Sequence, residues 1–390
     1  MKSMKSMLMG GAILLGLTMC LTSCEGTLDD IFGEWSRPTG NNGNTKTTVA
    51  EVTTAPTATT GTIAVGSTTA LVTAGVADGG TMMYQATTTN TKPTTTTGFS
   101  ATVPTAATLA AGTYYVWYYA KADAQHTDSE IAATAIEVTV KASYLKWDNT
   151  KKERVATPMP DTYTTVESST TTWEAGTYVV EGDVIINATI KLNGAVDLII
   201  KDGAKLTVNN YNIYGNTSKF NLSIYGQANQ TGQLVVDCST GDAIYNITTL
   251  EVHSCQVKST SSAADYFGFY DIKTFNVYGG SVDAENTGTN GYGIYLASSG
   301  SMNIYGGDVK AVGKGTCNGI AGGSGSTVTV YGGKLWAENA TGIALNNGIT
   351  LAKGAGFTGK IETSASGDVN DWTDYTEATT PATKYVRVGY

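Results

Sequence analysis

The chain has 390 residues, of which 15% are charged; 24 Lys and Arg stand against 33 Asp and Glu, giving a formal net charge of −9. No basic run offers counter-charge to a phosphate backbone, so nucleic acid is excluded as a partner. Forty-six glycines and a Thr-rich, charge-poor composition point to an all-β protein.

The first segment, Met1 to Ser6, carries Lys2 and Lys5 and no acid, and an apolar stretch follows from Met7 to Leu21. That stretch is short for a membrane span and has the proportions of a signal-peptide core. It closes on Leu21-Thr22-Ser23-Cys24, which resembles a bacterial lipobox. The resemblance implies a signal over residues 1–23, cleavage before Cys24, acylation of its thiol and attachment to a membrane through the lipid. Each acyl methylene placed in the bilayer contributes ~0.8 kcal/mol, so several chains anchor a protein without a spanning helix. The next residues, Glu25-Gly26-Thr27-Leu28-Asp29-Asp30, resemble the acidic export signal of Bacteroidetes lipoproteins. An outer-membrane, cell-surface location is expected, with a periplasm-facing one as the alternative. Residues 24–46 form the tether, ending in the Gly- and Asn-rich run from Glu34 to Lys46.

Residues 47–141 alternate short apolar and Thr-rich runs with turn signals at Asp78-Gly79-Gly80, Pro93 and Pro104. Strands are expected at Thr48–Thr53, Thr69–Thr73, Thr81–Thr87, Phe99–Val103, Gly112–Ala120 and Ile131–Val140. The run Gly112-Thr113-Tyr114-Tyr115-Val116-Trp117-Tyr118-Tyr119-Ala120 resembles the penultimate strand of bacterial Ig-like repeats, which implies a β-sandwich spacer. One face of that strand is expected in the core and the other partly solvated.

Residues 142–390 carry an internal repeat. Phe275-Asn276-Val277-Tyr278-Gly279-Gly280, Met302-Asn303-Ile304-Tyr305-Gly306-Gly307 and Val328-Thr329-Val330-Tyr331-Gly332-Gly333 align directly, and weaker copies lie at Leu222–Gly226 and Leu250–Ser254. The fourth positions are 225, 253, 278, 305 and 331, a period near 26, and Gly268, Gly293, Gly319 and Gly342 keep the same step. Period-2 alternation joined by tight turns, with no helical stretch between, describes a right-handed parallel β-helix, the hand following the general rule for parallel crossovers. Tyr144 to Glu174 is expected to form the lead-in and cap, and the segment after Ala352 the opposite cap. The region resembles the C-terminal β-helix of Bacteroidetes surface proteins described as adhesion or carbohydrate-binding lipoproteins.

Alternation turns Leu, Ile and Val inward and stacks Tyr225, His253, Tyr278, Tyr305 and Tyr331 in one outer row. Such a row presents aromatic surface and hydroxyls to a sugar chain; it equally forms a self-stabilising ladder. Trp336, which breaks the charged outer row Lys258, Asp283 and Lys310, is a further ligand candidate. The function expected is adhesion or glycan binding, the partner being a polysaccharide or a host or cell-surface protein. A structural envelope component is the first alternative and a polysaccharide-degrading lyase or glycosidase the second. Glu285 and Glu338, two coils apart, are the carboxylates an enzyme would draw on, but Val312 stands between them and no catalytic constellation emerges. No cofactor or metal is expected. Cys238, Cys255 and Cys317 are either buried small hydrophobes or include one bridged pair.

Overall fold

A computed structural model describes residues 48–346, 348–368, 370–375 and 383–390; the lipobox, Cys24 and the tether lie outside the described residues. Among the described residues every regular element is a β-strand.

In the N-terminal β region, Ile63–Ala64, Ile136–Lys141, Gly112–Ala122 and Gly80–Thr87 form a four-stranded sheet in that order. Leu71, Val72, Tyr84, Val116, Val138 and Val140 make its core. The segments 69–73 and 99–103 contribute isolated bridges rather than strands. Local side chains take backbone groups that a ladder would need: Ser67 Oγ accepts from the Thr69 amide at 3.0 Å and Ser100 Oγ from the Thr102 amide at 3.1 Å. The Tyr/Trp strand also departs from simple alternation, since Trp117 and Tyr119 are buried along with Tyr114 and Val116. Phe99 packs edge-on against Tyr119 at 5.1 Å, and Trp117 donates its indole N–H to Thr87 Oγ1 at 3.2 Å, so the second face is covered too.

From Thr164 onward the chain winds as a β-solenoid of about seven turns. Each full turn contributes one strand to a 10-stranded sheet and one or two to a 13-stranded sheet, and successive turns pair in parallel. The register follows the repeat: Leu250, Phe275, Met302, Val328 and Leu351 stack in one inward column, and Val257, Val282, Val309 and Leu335 in another. These side chains are almost wholly buried. Each contributes roughly 1.5–3 kcal/mol by leaving water, and the few polar inward residues, such as Ser259 and Asn286, are hydrogen-bonded to backbone carbonyls. The Gly-Gly pairs close the bend between sheets. At Gly307 the backbone has φ +78°, and a Cβ there would stand 2.5 Å from the Gly280 carbonyl of the turn below. Both the sign of φ and the stacking distance therefore require glycine.

The repeat ends at the strand Ile349–Lys353, as the sequence pattern implies. Tyr385–Val388 then pairs antiparallel with Lys334–Asn339 and with Ile361–Ser364, covering the open edge of the 10-stranded sheet. Cys238, Cys255 and Cys317 are all buried and unbridged. Burial pushes the Cys255 thiol up to about 12, which makes it an inert small hydrophobe.

The segment 144–174 is not a simple cap. Ser143–Asp148 and Glu153–Pro158 form an antiparallel hairpin, with Trp147 opposite Arg154. That hairpin lies against the outer face of the solenoid, over the aromatic row.

Candidate functional site

Tyr225, His253, Tyr278, Tyr305 and Tyr331 stack on successive turns. Their ring centroids are 4.4, 4.7, 5.1 and 4.7 Å apart, with interplanar angles of 18°, 28°, 18° and 9°. These are offset-stacked rings: each shares a face with its neighbour and leaves an edge, a polar tip and part of a face free.

The hairpin occupies most of what is left free on the first three. Tyr144 packs edge-on against Tyr225 at 4.9 Å, and Trp147 stacks on Tyr278 at 5.0 Å. The Trp147 amide donates to His253 Nδ1 at 3.0 Å, Ser254 Oγ donates to the Leu145 carbonyl at 3.3 Å, and Gln227 Nε2 donates to the Ser143 carbonyl at 3.0 Å. Arg154 reaches Gln230 and sits over Gly279, where a side chain would strike its guanidinium. Tyr225, His253 and Tyr278 are consequently only 2%, 2% and 8% exposed. The expectation of an open row fails for these three because a segment more than sixty residues upstream folds back onto them.

Their polar tips are satisfied within the protein. Tyr225 donates to Asp197 at 3.2 Å, and Glu251 accepts from Asn276 Nδ2 and the Tyr278 hydroxyl, both at 3.2 Å, and from Ser223 at 3.3 Å. His253 Nε2 lies 3.4 Å from the same carboxylate. Since His253 Nδ1 accepts an amide proton, the ring carries its own proton on Nε2 and is neutral. Burial lowers its pKa accordingly, against the pull of Glu251. Burial alone would raise Glu251, but the hydrogen bonds from His253, Asn276 and Tyr278 prevail and hold it at about 2.

The far end of the row differs. Trp147 reaches only the near side of Tyr305, at 5.6 Å and 36°. Tyr331 is 39% exposed, and among the described residues neither the Tyr305 nor the Tyr331 hydroxyl has a hydrogen-bond partner. Gly354 follows in the next turn, and its missing side chain leaves room for the Tyr331 ring. Together Trp147, Lys152, Tyr305, Tyr331 and Ala355 line an open cleft of about 500 Å³. Lys152 stands in the hairpin turn at φ +57°, its amide donating to the Asp148 carbonyl at 2.8 Å, and no acidic partner meets its ammonium among the described residues. The cleft thus offers an indole wall, two phenolic rings with free hydroxyls and one unpaired cation.

Trp336 lies elsewhere, among the C-terminal residues that close the 10-stranded sheet. It packs on Trp372 at 5.3 Å, Tyr385 at 6.1 Å and Tyr390 at 6.0 Å, and its indole N–H donates to Glu338 at 2.5 Å. Those contacts fix the cap. The same bond engages one of the two carboxylates considered for catalysis, and the register sets Glu285 and Glu338 on either side of Val312.

Trp147 and Lys152 were not among the residues singled out from sequence. The signal was present: Tyr144, Trp147, Arg154 and Val155 flank Asp148-Asn149-Thr150-Lys151, a hairpin pattern outside the repeat. What the pattern lacks is any indication of where the hairpin docks. No protein-family model matches the chain, and no curated protein or solved structure is detectably similar to it.

Proposed function

We propose that this chain is a surface-anchored lipoprotein that binds glycans through the outer face of its solenoid, at the cleft formed by Trp147, Tyr305 and Tyr331. In this reading Cys24 carries the lipid, residues 24–46 are the tether, and the N-terminal β region is an Ig-like spacer holding the solenoid away from an outer membrane. The observation that carries the binding role is the contrast along one row of rings. Three are covered and internally hydrogen-bonded, whereas the last two keep free hydroxyls beside an indole. Apolar ring surface combined with unpaired hydroxyls is what a sugar requires, and a cleft needs few such groups to orient a small ligand. The unpaired Lys152 ammonium favours sugars bearing a carboxylate or sulfate.

A glycan array probed with the purified chain and with a Trp147→Ala/Tyr331→Ala variant tests this directly. Selective binding by the wild type, lost in a variant that melts normally, is the expected result; equal binding by both removes the cleft from the account. Labelled palmitate taken up by the wild type and not by Cys24→Ser tests the anchor.

A structural role is the second reading, and the covered half of the row favours it. Stacked pairs stabilise one another by about 0.5–1.5 kcal/mol each. Under that reading Tyr331→Ala lowers the melting temperature and changes no binding.

A further inference from the structure

A second aromatic row runs along another flank of the solenoid, in the 13-stranded sheet. Register pairs Tyr214 with Tyr245, Tyr245 with Tyr270 and Tyr270 with Tyr295 on four successive turns. Three steps at the strand spacing make a stripe of about 14 Å. All four side chains are half-exposed, and no hairpin lies over them among the described residues.

The row is not a continuous stack. Tyr214 and Tyr245 stack at 4.7 Å and 20°. Tyr270 leans instead onto Phe267, at 4.8 Å and 26°, and onto Tyr295, at 5.6 Å and 45°. Tyr245 and Tyr270 make no ring contact with each other, so the stack breaks between the second and third turns. Asp242 stands beside this break. It accepts the Phe267 amide on Oδ1 at 2.9 Å, leaving Oδ2 without a partner among the described residues, and its charge adds to the burial that raises the phenols of both Tyr245 and Tyr270. Of the other charges that act on Tyr270, Lys219 and Asp271 pair with each other at 2.6 Å; farther along the flank, Lys191 is the register neighbour of Tyr214, and Lys273 donates to the Ser298 and Ser299 carbonyls. The break is therefore aromatic, hydroxyl-rich and, with Lys219 taken up by Asp271, acidic through Asp242.

We infer that Tyr214, Tyr245, Tyr270 and Tyr295, with Phe267 and Asp242, form a second glycan site, for a neutral polysaccharide chain lying along the solenoid axis, with a sugar seated at the break between Tyr245 and Tyr270. Charge at the break favours this occupant: a uronate or sulfate seated there would meet Asp242 while Lys219 is already paired with Asp271, whereas a neutral sugar donates a hydroxyl to the open Oδ2. Periodicity agrees, since rings recurring every turn suit a polymer of similar repeat and match no globular partner in particular. The site stands apart from the Trp147 cleft, where the unpaired cation gives the opposite preference. It shares with that reading only the premise that the solenoid binds sugars.

Native-gel affinity electrophoresis of the purified full chain tests it, with mannan, dextran, xyloglucan and mixed-linkage glucan as neutral probes and polygalacturonate and hyaluronate as acidic ones. At least one neutral polysaccharide should retard the wild type. Tyr245→Ala with Tyr270→Ala should weaken that binding by roughly tenfold or more. The cleft variant Trp147→Ala/Tyr331→Ala should keep it. Asp242→Asn changes charge without volume and should weaken it severalfold; if the double alanine variant does not fold, this substitution decides. Retardation by acidic polysaccharides alone, or by none, overturns the site. So does unchanged affinity in Asp242→Asn, or binding lost in the cleft variant and kept in the tyrosine variant, which assigns the neutral glycan to the cleft.

Discussion

The two aromatic rows of the solenoid arise from the same rule and have different fates. In each, one outward position per turn is filled by an aromatic ring, and parallel register brings the rings together. The first row runs under a hairpin that buries three of its five members, whose polar tips are met mainly by Asp197 and Glu251 of the solenoid; the second has half-exposed rings, a break in its stack and a half-used carboxylate. Repetition therefore builds aromatic stripes as a by-product of stacking. What lies over a stripe settles whether it acts as structure or as surface.

The largest expected effect is on stability. Tyr225→Ala should cost about 3–5 kcal/mol, because it opens a cavity under Tyr144 and removes the donor to Asp197. Tyr245→Ala, chemically identical, should cost only about 1 kcal/mol, since a half-exposed ring loses one stacking partner. Chemical denaturation of both variants checks this. Equal costs would mean that the hairpin adds nothing to the first row.

The rows should also answer acid in opposite ways. His253 is held neutral with its pKa below the ordinary 6.5, so only the unfolded chain takes up its proton as pH falls through 6.5, and stability drops. Glu251 is lowered from 4.5 to about 2, so the stability it contributes is present above 4.5 and is lost as pH falls toward 2. That contribution is on the order of 2 kcal/mol, allowing for solvent screening of a partly exposed carboxylate. Asp242 has the reverse sign: burial raises it from 3.8 to about 6, so the folded chain gains a proton first and stability rises as pH drops from about 6 toward 4. Melting curves across pH should show His253→Gln flattening the loss between pH 7 and 5. Asp242→Asn should raise stability at pH 8 by about 1 kcal/mol and remove the opposing gain.

The smallest effect concerns a single hydroxyl. Tyr278→Phe removes one of the donors to Glu251 and should cost about 1 kcal/mol while moving the Glu251 titration upward. Tyr331→Phe, where the lost hydroxyl has no partner among the described residues, should leave stability unchanged and lower affinity at the cleft.

The solenoid was legible before any coordinates. A 26-residue period, Gly-Gly turns and strict alternation determine the coil, its register and the inward columns, because a parallel stack repeats every local choice one turn later. The same reading places the tyrosines of the first row on one line. The second row is less legible, because Tyr245, Tyr270 and Tyr295 keep a step of 25 while Tyr214 stands 31 residues before Tyr245 and Ala321 takes the place in the following turn. The sequence pattern also sets two strands in the N-terminal region where Ser67 and Ser100 turn the backbone inward on itself.

The sequence by itself determined what each turn contains, since strand alternation and turn chemistry are local. Only the tertiary structure decided which outer surface stays outside. Whether Trp147 covers Tyr278 or faces water depends on a docking over a hundred residues away in the chain, and no periodicity encodes the place where a non-repeating hairpin comes to rest.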